Sequence, residues 1–135
     1  MICARLMLNE VKVFRPMTED TPTDLLVLKR DGTVSKCQCK YIFPERSGCH
    51  LMPLCSIRKS GANRKAVKHI YTAEEVDFFL GYCQDNDTVY VIPYSAAGGR
   101  NGLRFWILRD CLGSNGNEKD RFDEKEWRGR FDLLM

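Results

Sequence analysis

The sequence predicts an α/β domain, and three stretches carry that prediction. Residues 21–44 read as a β-hairpin of two apolar strands around a short turn; residues 72–84 place apolar side chains at helical spacing behind a capping signal; and residues 88–93 form a compact apolar run suited to a buried strand.

In the hairpin, TPTDLLVLKRDGTVSKCQCKYIFP, the signal is Asp31-Gly32 between two runs rich in Leu, Val, Ile and Cys. A three-residue loop, Arg30 to Gly32, with Gly32 in the left-handed position, sets Lys29 opposite Thr33 and therefore Asp24 opposite Gln38. Alternation then adds Lys40 to the face of Asp24 and Gln38, while Leu25, Val27, Cys37, Cys39 and Tyr41 share the other face. A two-residue turn would shift the register by one and set the Asp24 carboxylate among apolar side chains without a partner, so the longer loop is expected.

The remaining elements follow in order. Residues 1–8 contain good helix formers and end at Asn9, which predicts a short N-terminal helix that looks truncated. Val11, Val13 and Phe14 alternate as a strand closed by Arg15-Pro16, and residues 17–23 form a polar loop. From Glu45 to Ile70 periodicity is poor, which predicts a long loop with one short strand at Leu51–Ile57. Thr72 and Glu75 make a capping box, and Val76, Phe79, Leu80 and Cys83 predict a helix reaching about Gln84. Strands are expected at Thr88–Pro93 and Leu103–Leu108, joined by a Gly-rich connection. Beyond the breaker at residues 113–117, charges alternate with Phe122, Trp127 and Phe131 as in a tail or a short amphipathic helix. One domain over residues 1–112 and a charged tail over 113–135 are expected.

An acid opening a hairpin, Thr23-Asp24 with Pro22 one place early, and Gln38-Cys39-Lys40 on its second strand resemble the PD-(D/E)XK nuclease core. The resemblance is to a small branch of that superfamily that includes tetrameric, intron-encoded homing endonucleases and carries Gln before x-Lys. It extends from about Arg5 to about Asp110, with residues 71–79 resembling a helix and Val89–Pro93 the following strand of that branch. It implies a restriction-endonuclease-like fold, a mixed β-sheet flanked by helices. It implies a magnesium-dependent DNA endonuclease of homing or mobile-element type, with catalytic Asp24, Gln38 and Lys40. The Asp24 carboxylate, the Gln38 amide oxygen and the Cys39 main-chain carbonyl would hold the ion, hard oxygen donors for a hard cation. Lys40 would stabilise charge developing on the phosphorane or position the attacking water. The family's additional acid from the first helix has no counterpart before Asn9: Glu10 and Glu19 do not match its position. A catalytically inactive DNA-binding remnant and a resolvase-like module for branched DNA are the alternatives.

Composition frames these expectations. With 135 residues, 44% hydrophobic and 29% charged, the chain is long enough for one core and holds no apolar run near the ~20 residues of a membrane span. The apolar start lacks the form of a secretory signal, and seven cysteines is an odd number, so reduced thiols and an intracellular, cytoplasmic location are expected. Cys49, His50 and Cys55 are zinc-ligand types but lack paired knuckle spacing. Net charge is only +3, yet no acid falls between Arg46 and Ala73. Within that stretch Arg58, Lys59, Arg64, Lys65 and Lys68 are candidate phosphate contacts and Asn63 a candidate base contact, which nominates double-stranded DNA as partner. Because one active site cuts one strand, a homo-oligomer, dimer or tetramer, is expected, with no membrane and no nucleotide cofactor.

Overall fold

The computed structural model describes residues 1–18, 21–45, 48–60, 62, 65–105 and 124–135. Their elements run α1 (Ile2–Leu8), β1 (Lys12–Phe14), β2 (Leu25–Leu28), β3 (Val34–Pro44), β4 (His50–Pro53), β5 (Cys55–Ser60), β6 (Lys65–Ile70), β7 (Phe78–Cys83), β8 (Thr88–Pro93), α2 (Tyr94–Ala97), β9 (Gly102–Phe105), α3 (Glu124–Trp127) and a closing 3-10 turn (Phe131–Leu134). The α/β expectation holds, with few helices and a mostly antiparallel sheet.

The 11-residue β3 organises this sheet. It pairs antiparallel with β2 on one edge and parallel with β7 on the other, while its end pairs with β4, which leads to β9. β1 closes the β2 side and β8 the β7 side. The hairpin register is the expected one: Leu25 pairs with Cys37 and Leu28 with Val34, and the Lys29 N–H donates to the Thr33 carbonyl at 2.9 Å across the loop. Gly32 takes φ +86, the left-handed conformation that only glycine adopts freely.

The two faces of β3 bury two cores. Leu25, Val27 and Cys37 face Leu6 of α1, Val11, Leu80, Val91 and Leu134; Ile42 on the opposite face joins Met52, Tyr71, Val76, Phe79, Tyr90 and Ile92. Each such fully buried large side chain contributes about 1.5–3 kcal/mol, which is why the hairpin holds its backbone in place. Tyr41, expected with the first core, is exposed. The C-terminal residues are not an appendage: Leu134 is fully buried, the Met135 carbonyl accepts the Arg30 N–H at 2.8 Å, and Trp127 rests against the second core.

Two expectations fail. The helix over residues 72–84 is instead a turn followed by β7. The Thr72–Glu75 box forms, with the Thr72 N–H donating to Glu75 Oε2 at 3.0 Å and the Val76 N–H to the Thr72 carbonyl at 3.2 Å, but it closes only one turn. Asp77 then accepts the Lys36 N–H at 2.7 Å and donates its own N–H to the Lys36 carbonyl at 2.8 Å, docking the chain alongside β3. Phe78-Phe79-Leu80-Gly81-Tyr82-Cys83 is apolar on both sides, as a strand buried on both faces must be, and a parallel sheet position outweighs the helical spacing. The resemblance of residues 71–79 to a helix fails with it.

The long loop over residues 45–70 is corrected too. It contains β4 and a separate two-stranded sheet, β5–β6, in which Cys55 pairs with Ile70 and Ser60 with Lys65. The short strand expected at Leu51–Ile57 is interrupted at Leu54, between β4 and β5. The strand expected at Leu103–Leu108 appears as β9 to Phe105, and its remainder, with Trp106, lies outside the described residues.

Candidate active site

Asp24 stands just before β2, where the chain leaves the sheet, so its side chain reaches across the end of the ladder. Gln38 Nε2 donates to Asp24 Oδ2 at 2.5 Å, and the Cys39 N–H donates to the same oxygen at 2.8 Å. Charge-assisted bonds of this kind are short and hold the carboxylate firmly. The hairpin register therefore delivers Asp24 and Gln38 to one another, as the sequence predicted.

An open cleft of about 550 Å³ adjoins this pair, lined by Asp24, Cys39, Lys40, Arg15, Tyr41 and Tyr82, with Met1, Ile2 and Cys3 on the α1 side. Lys40 lies on the Gln38 face of β3. Its ammonium donates to the Cys55 carbonyl at 3.3 Å and to the Tyr71 hydroxyl at 3.2 Å, and it sits 4.8 Å from the centre of the Tyr71 ring. Asp24 and Gln38 are thus brought into contact at the end of the sheet, while Lys40, on the Gln38 face of the same strand, is held by groups from a different part of the chain.

The donor set suits a hard cation. Gln38 Oε1 is a buried acceptor without a hydrogen-bond partner, an arrangement that costs free energy unless something fills it. In an extended strand the N–H and C=O of one residue leave by the same edge, so the Cys39 carbonyl, like its N–H, is directed to the Asp24 side. As the amide stands its nitrogen faces Asp24, so the Gln38 oxygen joins the Asp24 carboxylate and the Cys39 carbonyl as a metal donor only with the amide turned over. The thiol is not a fourth: burial first, then the Asp24 charge and Cys3, push the Cys39 thiol up to about 12, and it stays protonated at neutral pH. Burial raises Cys37 to about 12 as well.

Four of the six residues nominated for DNA contact lie on the β5–β6 arm. Arg58, Lys59 and Lys65 lie on its strands, Lys68 is exposed and pairs with Ile57, and Asn63 and Arg64 lie outside the described residues. Cys49 and His50 go elsewhere: the Cys49 thiol donates to Glu45 Oε2 at 3.2 Å, and His50 Nε2 lies 2.6 Å from Asp85 Oδ2. Two residues escaped the sequence reading, Arg15 on the cleft and Tyr71 against Lys40. Arg15 looked like a strand terminator beside Pro16, and Tyr71 like a helix-flanking aromatic; neither carries a local signal for what it meets through the sheet.

No curated protein matches the chain. Among solved structures it is similar to a bacterial homing endonuclease, I-Ssp6803I, with a TM-score of 0.71 at 18% identity, covering 98% of this chain and 84% of that one. At that identity the likeness concerns the fold, which is restriction-endonuclease-like. A family model described as PD-(D/E)XK endonuclease matches residues 1–105, spanning α1, the Asp24–Gln38–Lys40 cluster, the arm and every strand of the sheet. On that match the chain belongs to the PD-(D/E)XK endonuclease family.

Proposed function

We propose that this protein is a magnesium-dependent endonuclease that hydrolyses phosphodiester bonds of double-stranded DNA, of homing or mobile-element type, acting as a homo-oligomer. The observation that carries this reading is the contact of Asp24 with Gln38 at one sheet end beside an open cleft, with Lys40 on the Gln38 face of the same strand. Family membership supports nuclease chemistry, and the fold of the bacterial homing endonuclease supports the subtype. Oligomerisation is proposed because one active site cuts one strand.

A phosphodiester shields its own phosphorus with negative charge, and a bound divalent ion supplies polarisation of the phosphoryl oxygen and a more acidic water. Asp24, the Gln38 amide oxygen and the Cys39 carbonyl would hold that ion. With a single carboxylate in the set, the site carries less negative charge than a two-acid site, so phosphate from the substrate contributes to assembly. Lys40, held by Tyr71 and Cys55 on the Gln38 face of β3, would supply the positive charge that offsets the charge building on the phosphoryl oxygens. Arg15, in the same cleft, is placed to meet an adjacent phosphate. The arm residues Arg58, Lys59, Asn63, Arg64, Lys65 and Lys68 would grip the duplex, mainly through its backbone.

A second reading, DNA binding without cleavage, rests on one feature: α1 lines the cleft with Ile2 and Cys3 and offers no carboxylate there. Incubating the purified protein with supercoiled plasmid and magnesium separates the two. Nicking that stops with EDTA and falls at least about 100-fold in Lys40→Ala is the expected result for the enzyme. Retention of plasmid in a gel shift with no nicking would establish the second reading.

A further inference from the structure

The lysine of the site does not hold itself in place. A four-carbon stem with an ammonium at its end has many rotamers, and chemistry at a phosphate requires one of them. Both hydrogen bonds that select it come from the base of the β5–β6 arm. Cys55, whose carbonyl accepts at 3.3 Å, opens β5; Tyr71, whose hydroxyl accepts at 3.2 Å, directly follows the last residue of β6; and Cys55 pairs with Ile70 across the arm's first rung.

Tyr71 is itself firmly set. It is 4% exposed, and its carbonyl accepts the Tyr94 hydroxyl at 3.1 Å. Its ring meets Phe79 and His69 edge-on at 6.0 and 5.6 Å. His69, the penultimate residue of β6, is tied to Glu75 at 2.9 Å, and Glu75 in turn accepts the Thr72 N–H. The route from arm to lysine is therefore a short series of direct contacts.

We propose that Tyr71 is the positioning residue for Lys40, and that the base of the arm sets where the ammonium stands beside Gln38 and Asp24 at the end of the sheet. The arm then serves the chemistry as well as duplex contact: whatever tilts it displaces the two acceptors of the lysine together. This inference rests on the nuclease reading of Lys40.

Tyr71→Phe deletes one oxygen and leaves the ring and the core contacts. In single-turnover nicking with magnesium and plasmid, the expected result is a rate about tenfold lower, with unchanged half-saturating plasmid concentration and unchanged melting temperature, as for loss of one hydrogen bond to a charge. Tyr71→Leu, which removes the ring too, loses more. A Tyr71→Phe protein that nicks at the wild-type rate overturns the inference. A readout independent of cleavage is the NMR shift of the Lys40 ε-methylene protons, assigned with Lys40→Arg. The Tyr71 ring current displaces it in the wild type, and Tyr71→Leu restores the ordinary position. If the wild type nicks nothing, the nuclease reading fails on its own; if the wild-type lysine signal sits at the ordinary position, the positioning role fails whatever the activity.

Discussion

The β2–β3 and β5–β6 hairpins are both antiparallel ladders, and the protein uses them in opposite ways. β2–β3 lies within the large sheet: Leu25, Val27 and Cys37 on one face are buried beneath α1 and the C-terminal turn, and β7 flanks β3 on the far edge. Among the described residues β5–β6 pairs only with itself, and Ile57 and Val67 are 68% and 55% exposed. The embedded hairpin can hold Asp24, Gln38 and the Cys39 N–H within 2.5–2.8 Å because packing leaves its backbone no freedom. The arm gives up that packing and gains a surface open to a large partner. Only at its base, where Cys55 and Tyr71 meet Lys40, does it share the rigidity of the sheet.

That contrast can be broken most severely from inside. Gly81 pairs with Lys40 across the parallel ladder, and a Cβ there would come within 2.4 Å of Met52 Sδ and 2.8 Å of Ile42 Cδ1. Gly81→Val forces that carbon, and two methyl groups more, into a closed space beside β3. Met52 and the fully buried Ile42 side chain must both shift, so a loss of about 1–3 kcal/mol is expected, read as a lower midpoint in urea unfolding. A midpoint equal to wild type would mean that the sheet around the site is far less tightly packed than the arm comparison requires.

The same contrast explains what the sequence revealed. The β2–β3 register was legible because it is local: Asp31-Gly32 fixes the loop, and alternation carries that register to Asp24, Gln38 and Lys40. β7 was not legible, since Val76, Phe79, Leu80 and Cys83 satisfy a helical period equally well, and the deciding interaction is with β3, more than thirty positions earlier. The arm hid for another reason. With both faces open to solvent, its strands lack the apolar alternation by which a half-buried strand is recognised. Tyr71 and Arg15 join the site through the sheet, and no spacing in the chain encodes that.

On the arm, a smaller and different effect is expected. Lys68 is exposed, opposite Ile57, and touches neither core. Lys68→Ala should weaken duplex binding several-fold at low salt, equally for all sequences, and reduce the slope of log affinity against log salt by about one phosphate contact. Its unfolding midpoint should match wild type. Fluorescence anisotropy across a salt series, beside a urea titration, tests both parts; an unchanged salt slope would remove Lys68 from the DNA face, and a lowered midpoint would tie the arm to the core after all.

The smallest effect belongs to the tip of the embedded hairpin. Asp31 Oδ1 accepts the Thr33 hydroxyl at 2.6 Å and the Thr33 N–H at 2.9 Å, and these bonds, the hydroxyl first, hold its carboxyl below the usual range. A carboxyl that is more acidic in the folded chain contributes stability above its unfolded value of about 4, and that contribution disappears as pH falls through the folded value. Because Asp31 is wholly exposed, solvent screens the interaction and the effect is slight. Melting temperatures of wild type and Asp31→Asn should differ at neutral pH and converge as pH falls through the folded value, which lies below about 4. A gap that persists there would show that the Asp31–Thr33 contact acts through loop shape rather than charge.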